Sequence, residues 1–153
     1  MFGEKTSNQD IFEQTLSAKI DESFEGKNLT VLTYGISGSG KTHTIFGLAK
    51  ESLHNRIDKP INVDYGSERG LIDLAMTQIF EKSQRLLSED PDISIGVSIN
   101  FIEIYNENIR DLLNSVTGEQ GEELPRKKLS LVESTMTKGV SIPDLTQIKV
   151  RNR

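Results

Sequence analysis

The sequence predicts an α/β fold, and three stretches carry that prediction. Leu29-Thr30-Val31-Leu32-Thr33-Tyr34 is apolar and β-branched, as a strand is, and the glycine-rich Gly35–Gly40 follows before Lys41-Thr42-His43-Thr44-Ile45-Phe46 opens a helix. Leu71, Leu74, Ala75, Ile79 and Leu86 recur at helical spacing. Ile93, Ile95, Val97, Ile99 and Phe101 alternate with small or polar residues, the period of a strand. Helices and strands therefore interleave along the chain rather than segregating, which points to layers of helix against sheet.

Taken in order, the elements have local reasons. Thr6 with Gln9, or Ser7 with Asp10, supplies a capping box at a helix start. Phe12, Leu16, Ile20 and Phe24 then recur every four residues, one apolar stripe on one packing helix, and Gly26-Lys27-Asn28 ends it. The helix after the glycine loop is weakened at Gly47, with Leu48 to Leu53 extending it by a turn or two. Asn55 to Gly70 is polar, holds Pro60, Gly66 and Gly70, and reads as a long surface loop. Glu89-Asp90-Pro91-Asp92 stops the next helix. From Phe101 to Tyr105 the apolar run is nearly continuous, which suits a central strand buried on both faces or a register-flipping bulge. Asn106 is placed to cap a short helix carrying Ile109, Leu112 and Leu113. Asn114 to Lys128 is a polar excursion, and Leu129–Val132, Gly139–Ile142 and Leu145–Val150 read as short strands.

Composition narrows the function classes. The 153 residues amount to one ordinary domain or part of a larger one. A net charge of −5 with no basic block argues against non-specific nucleic-acid binding. Zero cysteines remove disulfides and thiolate metal sites. No apolar run approaches a membrane span, and the N-terminal residues lack a signal-peptide core, so a soluble, cytosolic protein is expected, with no membrane partner.

The chemistry concentrates in Gly35-Ile36-Ser37-Gly38-Ser39-Gly40-Lys41-Thr42, an ungapped match to G-x-x-x-x-G-K-[ST], the phosphate-binding loop. A phosphate must sit among several backbone N–H groups at once. Glycine admits positive φ and lets the backbone approach closely. The first turn of the following helix offers N–H groups without helical acceptors. Lys41 is suited to reach the β- and γ-phosphates of a nucleotide, and the Thr42 hydroxyl to ligate Mg²⁺.

Several stretches together resemble the kinesin motor domain. Leu32 to Thr44 resembles the kinesin phosphate loop, with its tyrosine-glycine lead and its lysine-threonine exit followed by histidine or tyrosine and then threonine. Phe101-Ile102-Glu103-Ile104-Tyr105-Asn106-Glu107-Asn108-Ile109-Arg110-Asp111-Leu112-Leu113 is similar to the kinesin stretch that ends a central strand and enters a short helix. Asp10-Ile11-Phe12-Glu13, Gly70-Leu71-Ile72, and Gly139-Val140 followed by Leu145-Thr146 fit the same order. The resemblance implies an α/β phosphate-loop NTPase with a mixed central sheet flanked by helices, here incomplete. It implies ATP with Mg²⁺ as ligands, ATP hydrolysis coupled to movement along microtubules, and a place in the cytoplasm on the microtubule cytoskeleton. By position, Gly35, Ile36, Ser37, Gly38, Ser39, Gly40, Lys41 and Thr42 would cradle phosphates and metal, His43 would lie beside the adenine ring, and Asn55–Gly70 would interrupt the helix after the loop. Asn114 to Lys138 would lie near the lobe that contacts tubulin.

The departures from that pattern are as informative. Ile36-Ser37 stand where kinesins often carry glutamine and threonine, a change the backbone cradle tolerates. Asn108 and Val132 stand where a motor often carries lysine and histidine, leaving Arg126, Lys127, Lys128 and Lys138 as the nearby positive charge. The two kinesin γ-phosphate switches, Ser-Ser-Arg-Ser-His and Asp-Leu-Ala-Gly-Ser-Glu, do not occur in residues 1–153. Asp73-Leu74-Ala75 imitates the second, but Met76-Thr77 follows and the stretch lies inside an amphipathic pattern. The arginine-proline element that holds the base is also missing. Residues 1–153 are therefore expected to be part of a motor domain, with no catalytic residue of their own, little ATPase activity alone and unpaired strand edges. The other readings are a non-catalytic kinesin-like module that binds nucleotide or tubulin, and an unrelated phosphate-loop NTPase.

Overall fold

The computed structural model describes residues 2–3, 5–48, 68–114, 129–134 and 139–150. The chain divides into two units, Met1–Ile93 and Ser94–Arg153. Among the described residues no helix is long and apolar enough to cross a membrane.

The first unit is helical. Helix α1 (Asn8–Thr15) starts at Ser7, and the Ser7–Asp10 alternative is the capping box that forms. The Asp10 amide donates to Ser7 Oγ at 3.1 Å, and Asp10 Oδ2 accepts from the Ser7 amide at 3.0 Å. The Ser7 hydroxyl, donating to Asp10 Oδ2 at 2.7 Å, and then the Ser7 amide hold the Asp10 carboxyl below its ordinary pKa. The single helix expected from the Phe12–Phe24 stripe is broken at Leu16 (φ −107°, ψ −38°), so α2 runs separately over Ser17–Ser23. The Thr15 hydroxyl donates back to the Ile11 carbonyl at 2.6 Å, a bond that competes with the helix ladder and bends it. The stripe survives the bend, because the Leu16 and Ile20 amides still reach the carbonyls of Phe12 and Leu16. Gly26 (φ 90°) closes α2 as expected. Its amide donates to the Ser23 carbonyl and the Lys27 amide to Glu22, the paired bonds of a Schellman ending.

Helix α3 (Lys41–Phe46) carries the end of the glycine loop, and α4 (Leu71–Glu89) is the long helix of the unit, stopping before Asp90 as expected. Phe12, Leu16, Ile20, Leu71 and Leu74 form the buried core, flanked by Ile11, Phe24, Ala75 and Ile79. Polar ties register α4 against α2. Gln78 Nε2 donates to the Ser17 carbonyl at 2.9 Å, and Lys82 Nζ lies 2.7 Å from Asp21 Oδ1 and 5.0 Å from the Phe24 ring centre. Gly70 caps α4 without a side chain, while Arg69 reaches over it to the Asp73 carboxylate and Thr77 hydroxyl.

Leu29–Tyr34 corrects the sequence reading. It pairs with no strand among the described residues, and its side chains lie open, Leu32 at 84% and Tyr34 at 95% exposure. Apolar β-branched sequence favours an extended chain, but a strand exists only where a neighbouring edge accepts its hydrogen bonds.

Among the described residues the second unit holds three two-stranded antiparallel ladders: β1 (Val97–Ile99) with β6 (Ile148–Val150), β2 (Ile102–Tyr105) with β3 (Asn108–Asp111), and β4 (Val132–Ser134) with β5 (Gly139–Ser141). The expected 93–101 strand is therefore shorter. Phe101–Tyr105 is not buried on both faces, since every residue of β2 is exposed. The expected helix after Asn106 is also corrected. Asn106 (φ 47°) and Glu107 (φ 60°) make a two-residue turn with both centres left-handed, the requirement of a type I′ hairpin. Ile104 then faces Ile109, and Glu103 faces Arg110 with the charges 3.1 Å apart. Cross-strand pairing outweighs Asn106 as a cap, because Asn tolerates left-handed φ unusually well. Asp111 closes this region. Burial works against its anion, but hydrogen bonds from Thr146, Leu113 and Asn114 prevail and hold its pKa low.

The continuation of α3 through residues 49–53, most of the 55–70 loop and the 115–128 excursion lie outside the described residues, as do Arg126, Lys127, Lys128 and Lys138.

Candidate functional site

The glycine loop is compact and exposed. Its backbone turns through Gly38 (φ 79°) and Gly40 (φ 89°), and the Ser39 amide donates to the Ile36 carbonyl at 3.2 Å. Gly40 is the N-cap of α3, and the first helical bond runs from the Thr44 amide to its carbonyl. Helix geometry leaves the amides of Lys41, Thr42 and His43 without helical acceptors on the loop side. Gly35 sits against Ser39, where an added Cβ would lie 2.5 Å from Oγ.

Lys41 decides what the loop can do. Its Nζ donates to the carbonyls of Gly35, at 2.8 Å, and Ile36, at 2.7 Å. The ammonium group is thus folded over the loop that opens the motif, rather than extended into solvent. A phosphate entering the loop offers it oxygens of greater charge in place of two neutral carbonyls. Thr42, the next residue, is exposed on the first turn of α3. Among the described residues no group of three His, Cys, Asp or Glu is arranged to hold a metal ion.

The far end of α3 is clamped by backbone contact. Gly47 bridges Arg69, and the Leu48 amide donates to the Glu68 carbonyl at 3.1 Å. A Cβ on Gly47 would lie 2.5 Å from that carbonyl oxygen, and one on Gly70 would overlap the Ile45 carbonyl and Phe46. Asn8 completes the clamp. It is 3% exposed, and its Nδ2 donates to the carbonyls of His43, at 3.2 Å, and Arg69, at 3.0 Å. The Asn8 amide donates to Glu68 Oε1 at 3.3 Å, and Glu68 Oε2 lies 3.2 Å from His43 Nε2. Asn8 and Glu68 escape a reading of the sequence. Asn8 looks like any polar residue at a helix start, and Glu68 sits in a stretch with no period.

The structure turns Gly35–Gly40 directly into α3, whose first turn carries Lys41, Thr42 and His43, with His43 facing Glu68. A family model described as the kinesin motor domain matches residues 1–153.

The chain belongs to the kinesin motor family.

Kinesin-like protein 6 of Schizosaccharomyces pombe is 34% identical over 152 residues, covering 99% of this chain and 16% of that protein. The chain spans about one sixth or less of the curated relatives it matches. Among solved structures, the C-terminal motor domain of Kar3 from Candida glabrata is similar with a TM-score of 0.71 at 27% identity, over 99% of this chain and 39% of that one. A KIF14 motor, described as ADP-bound in complex with a microtubule, is similar with a TM-score of 0.65 at 25% identity, over 97% and 36%. The fold class is that of the kinesin motors, an α/β phosphate-loop NTPase.

Proposed function

We propose that residues 1–153 are the nucleotide-holding part of a kinesin motor domain. In the complete protein, ATP hydrolysis drives movement along microtubules. The observation that carries the proposal is Lys41, bonded to the Gly35 and Ile36 carbonyls at the mouth of a G-x-x-x-x-G-K-T loop. Gly35, Ile36, Ser37, Gly38, Ser39 and Gly40 supply backbone to the phosphates, Lys41 their counter-charge, Thr42 the protein ligand to Mg²⁺, and His43 a ring beside the base. Mg²⁺ held there by Thr42 would supply positive charge to the phosphates. The binding partner is the microtubule, as it is for the KIF14 motor, with residues 114–138 the proposed contact lobe. The setting is the cytoplasmic microtubule cytoskeleton.

Neither switch stretch occurs in residues 1–153, so this part is expected to hold nucleotide with little or no turnover. Titration of the chain with Mg-ATP tests the proposal. Lys41→Ala should weaken binding tenfold or more, matching roughly 1.5–3 kcal/mol for hydrogen bonds to a charged group. Equal affinity in the two proteins refutes the site. Microtubule-dependent turnover by residues 1–153, abolished in Lys41→Ala, refutes the division of labour.

A further inference from the structure

A closed polar ring links the base of α3 to the start of α1. From the Asn8 amide it passes to the Glu68 carboxylate at 3.3 Å and on to the His43 imidazole at 3.2 Å. It returns through the His43 carbonyl to Asn8 Nδ2 at 3.2 Å. The Glu68 carboxylate is held at one oxygen by an amide in the first turn of α1, where a helix favours negative charge. Its other oxygen is left to fix the imidazole. His43 follows Thr42 on α3, and its side chain is 38% exposed, so the imidazole is paired with Glu68 without being sealed from solvent.

We propose that Glu68, held by Asn8, is a positioning residue that orients the His43 imidazole to stack on the heteroaromatic base of a bound nucleotide. The proposal rests on the reading that Gly35 to Thr42 hold a triphosphate and that His43 lies beside its base. An exposed imidazole free to rotate must lose that freedom when it stacks. An imidazole already paired with a carboxylate has lost it beforehand. Glu68 thus acts on the base and not on the phosphates, and only through His43.

Two probes separate these contributions: ATP, and inorganic tripolyphosphate, which has no base. Affinities are measured by calorimetry for the wild-type chain, Glu68→Ala, His43→Ala, the double variant and Lys41→Ala. Glu68→Ala should weaken ATP binding three- to tenfold and leave tripolyphosphate within twofold. The double variant should be no weaker than His43→Ala. Glu68→Gln, nearly isosteric, carries the same comparison if Glu68→Ala does not fold. Unchanged ATP affinity overturns the proposal, as does an equal loss for both probes, which would mean general loosening of the loop. Additive effects of Glu68→Ala and His43→Ala also overturn it, since the two would act independently. If tripolyphosphate does not bind the wild type, or binds Lys41→Ala equally well, the phosphate-loop reading itself fails and takes the proposal with it.

Discussion

Gly47→Ala tests how firmly the end of α3 is held, and its cost can be worked from the structure. Gly47 has φ 77° and ψ −169°, a region open almost solely to glycine, where a side chain costs about 1–3 kcal/mol. The new Cβ would also lie 2.5 Å from the Glu68 carbonyl oxygen and 2.6 Å from the Gly70 nitrogen, both backbone atoms that cannot swing aside. Overpacking of that kind costs about 1–3 kcal/mol more. Gly38→Ala is the control: φ is 79°, nothing lies within 4 Å of a Cβ, and only the left-handed penalty of about 1–2 kcal/mol applies. Urea unfolding should therefore place Gly47→Ala below Gly38→Ala by roughly 1–4 kcal/mol. Hydrogen exchange gives the local readout. The Leu48 amide, bonded to the Glu68 carbonyl at 3.1 Å, should lose protection in Gly47→Ala and keep it in Gly38→Ala. Equal stability of the two variants, or unchanged exchange at Leu48, would refute the clamp.

Leu74→Ala, in the core at 4% exposure, should cost about 2–5 kcal/mol, whereas Leu32→Ala at 84% exposure should stay within about 0.5 kcal/mol; comparable losses in urea unfolding would mean that Leu29–Tyr34 is a packed strand after all. Asp111 has a folded pKa below its unfolded value near 3.9, so its contribution is present above that pH and lost as pH falls through the lower folded value. Asp111→Asn should lower the stability of the 94–153 unit at pH 7 and flatten its decline below about pH 4, as followed by acid titration of its amide signals. Glu107→Gly should stabilise the β2–β3 hairpin by about 0.5–1 kcal/mol, since Asn-Gly suits a turn whose second centre is at φ 60°; a loss in urea unfolding would contradict the type I′ assignment.

Residues 35–42 declared their chemistry in the sequence, because a phosphate cradle needs glycines, a lysine and a hydroxyl at set spacing and tolerates little else. Helix positions were legible for a similar reason. The Ser7–Asp10 box, the Gly26 ending and the Phe12–Phe24 stripe are contacts among near neighbours, so spacing alone specifies them. Strands were not legible in the same way. Leu29–Tyr34 has the composition of a strand and no ladder partner among the described residues, while Asn106, by local pattern the cap of a short helix carrying Ile109, Leu112 and Leu113, instead opens a turn after which Asn108–Asp111 pairs back on β2. Whether an extended segment becomes a strand depends on an edge far away in the chain, and no local pattern encodes that edge. The Asn8–Glu68–His43 ring shows the same limit at the site. Its members are 35 and 60 residues apart, and only folding α1 against α3 and residues 68–69 turns three ordinary polar side chains into one connected group.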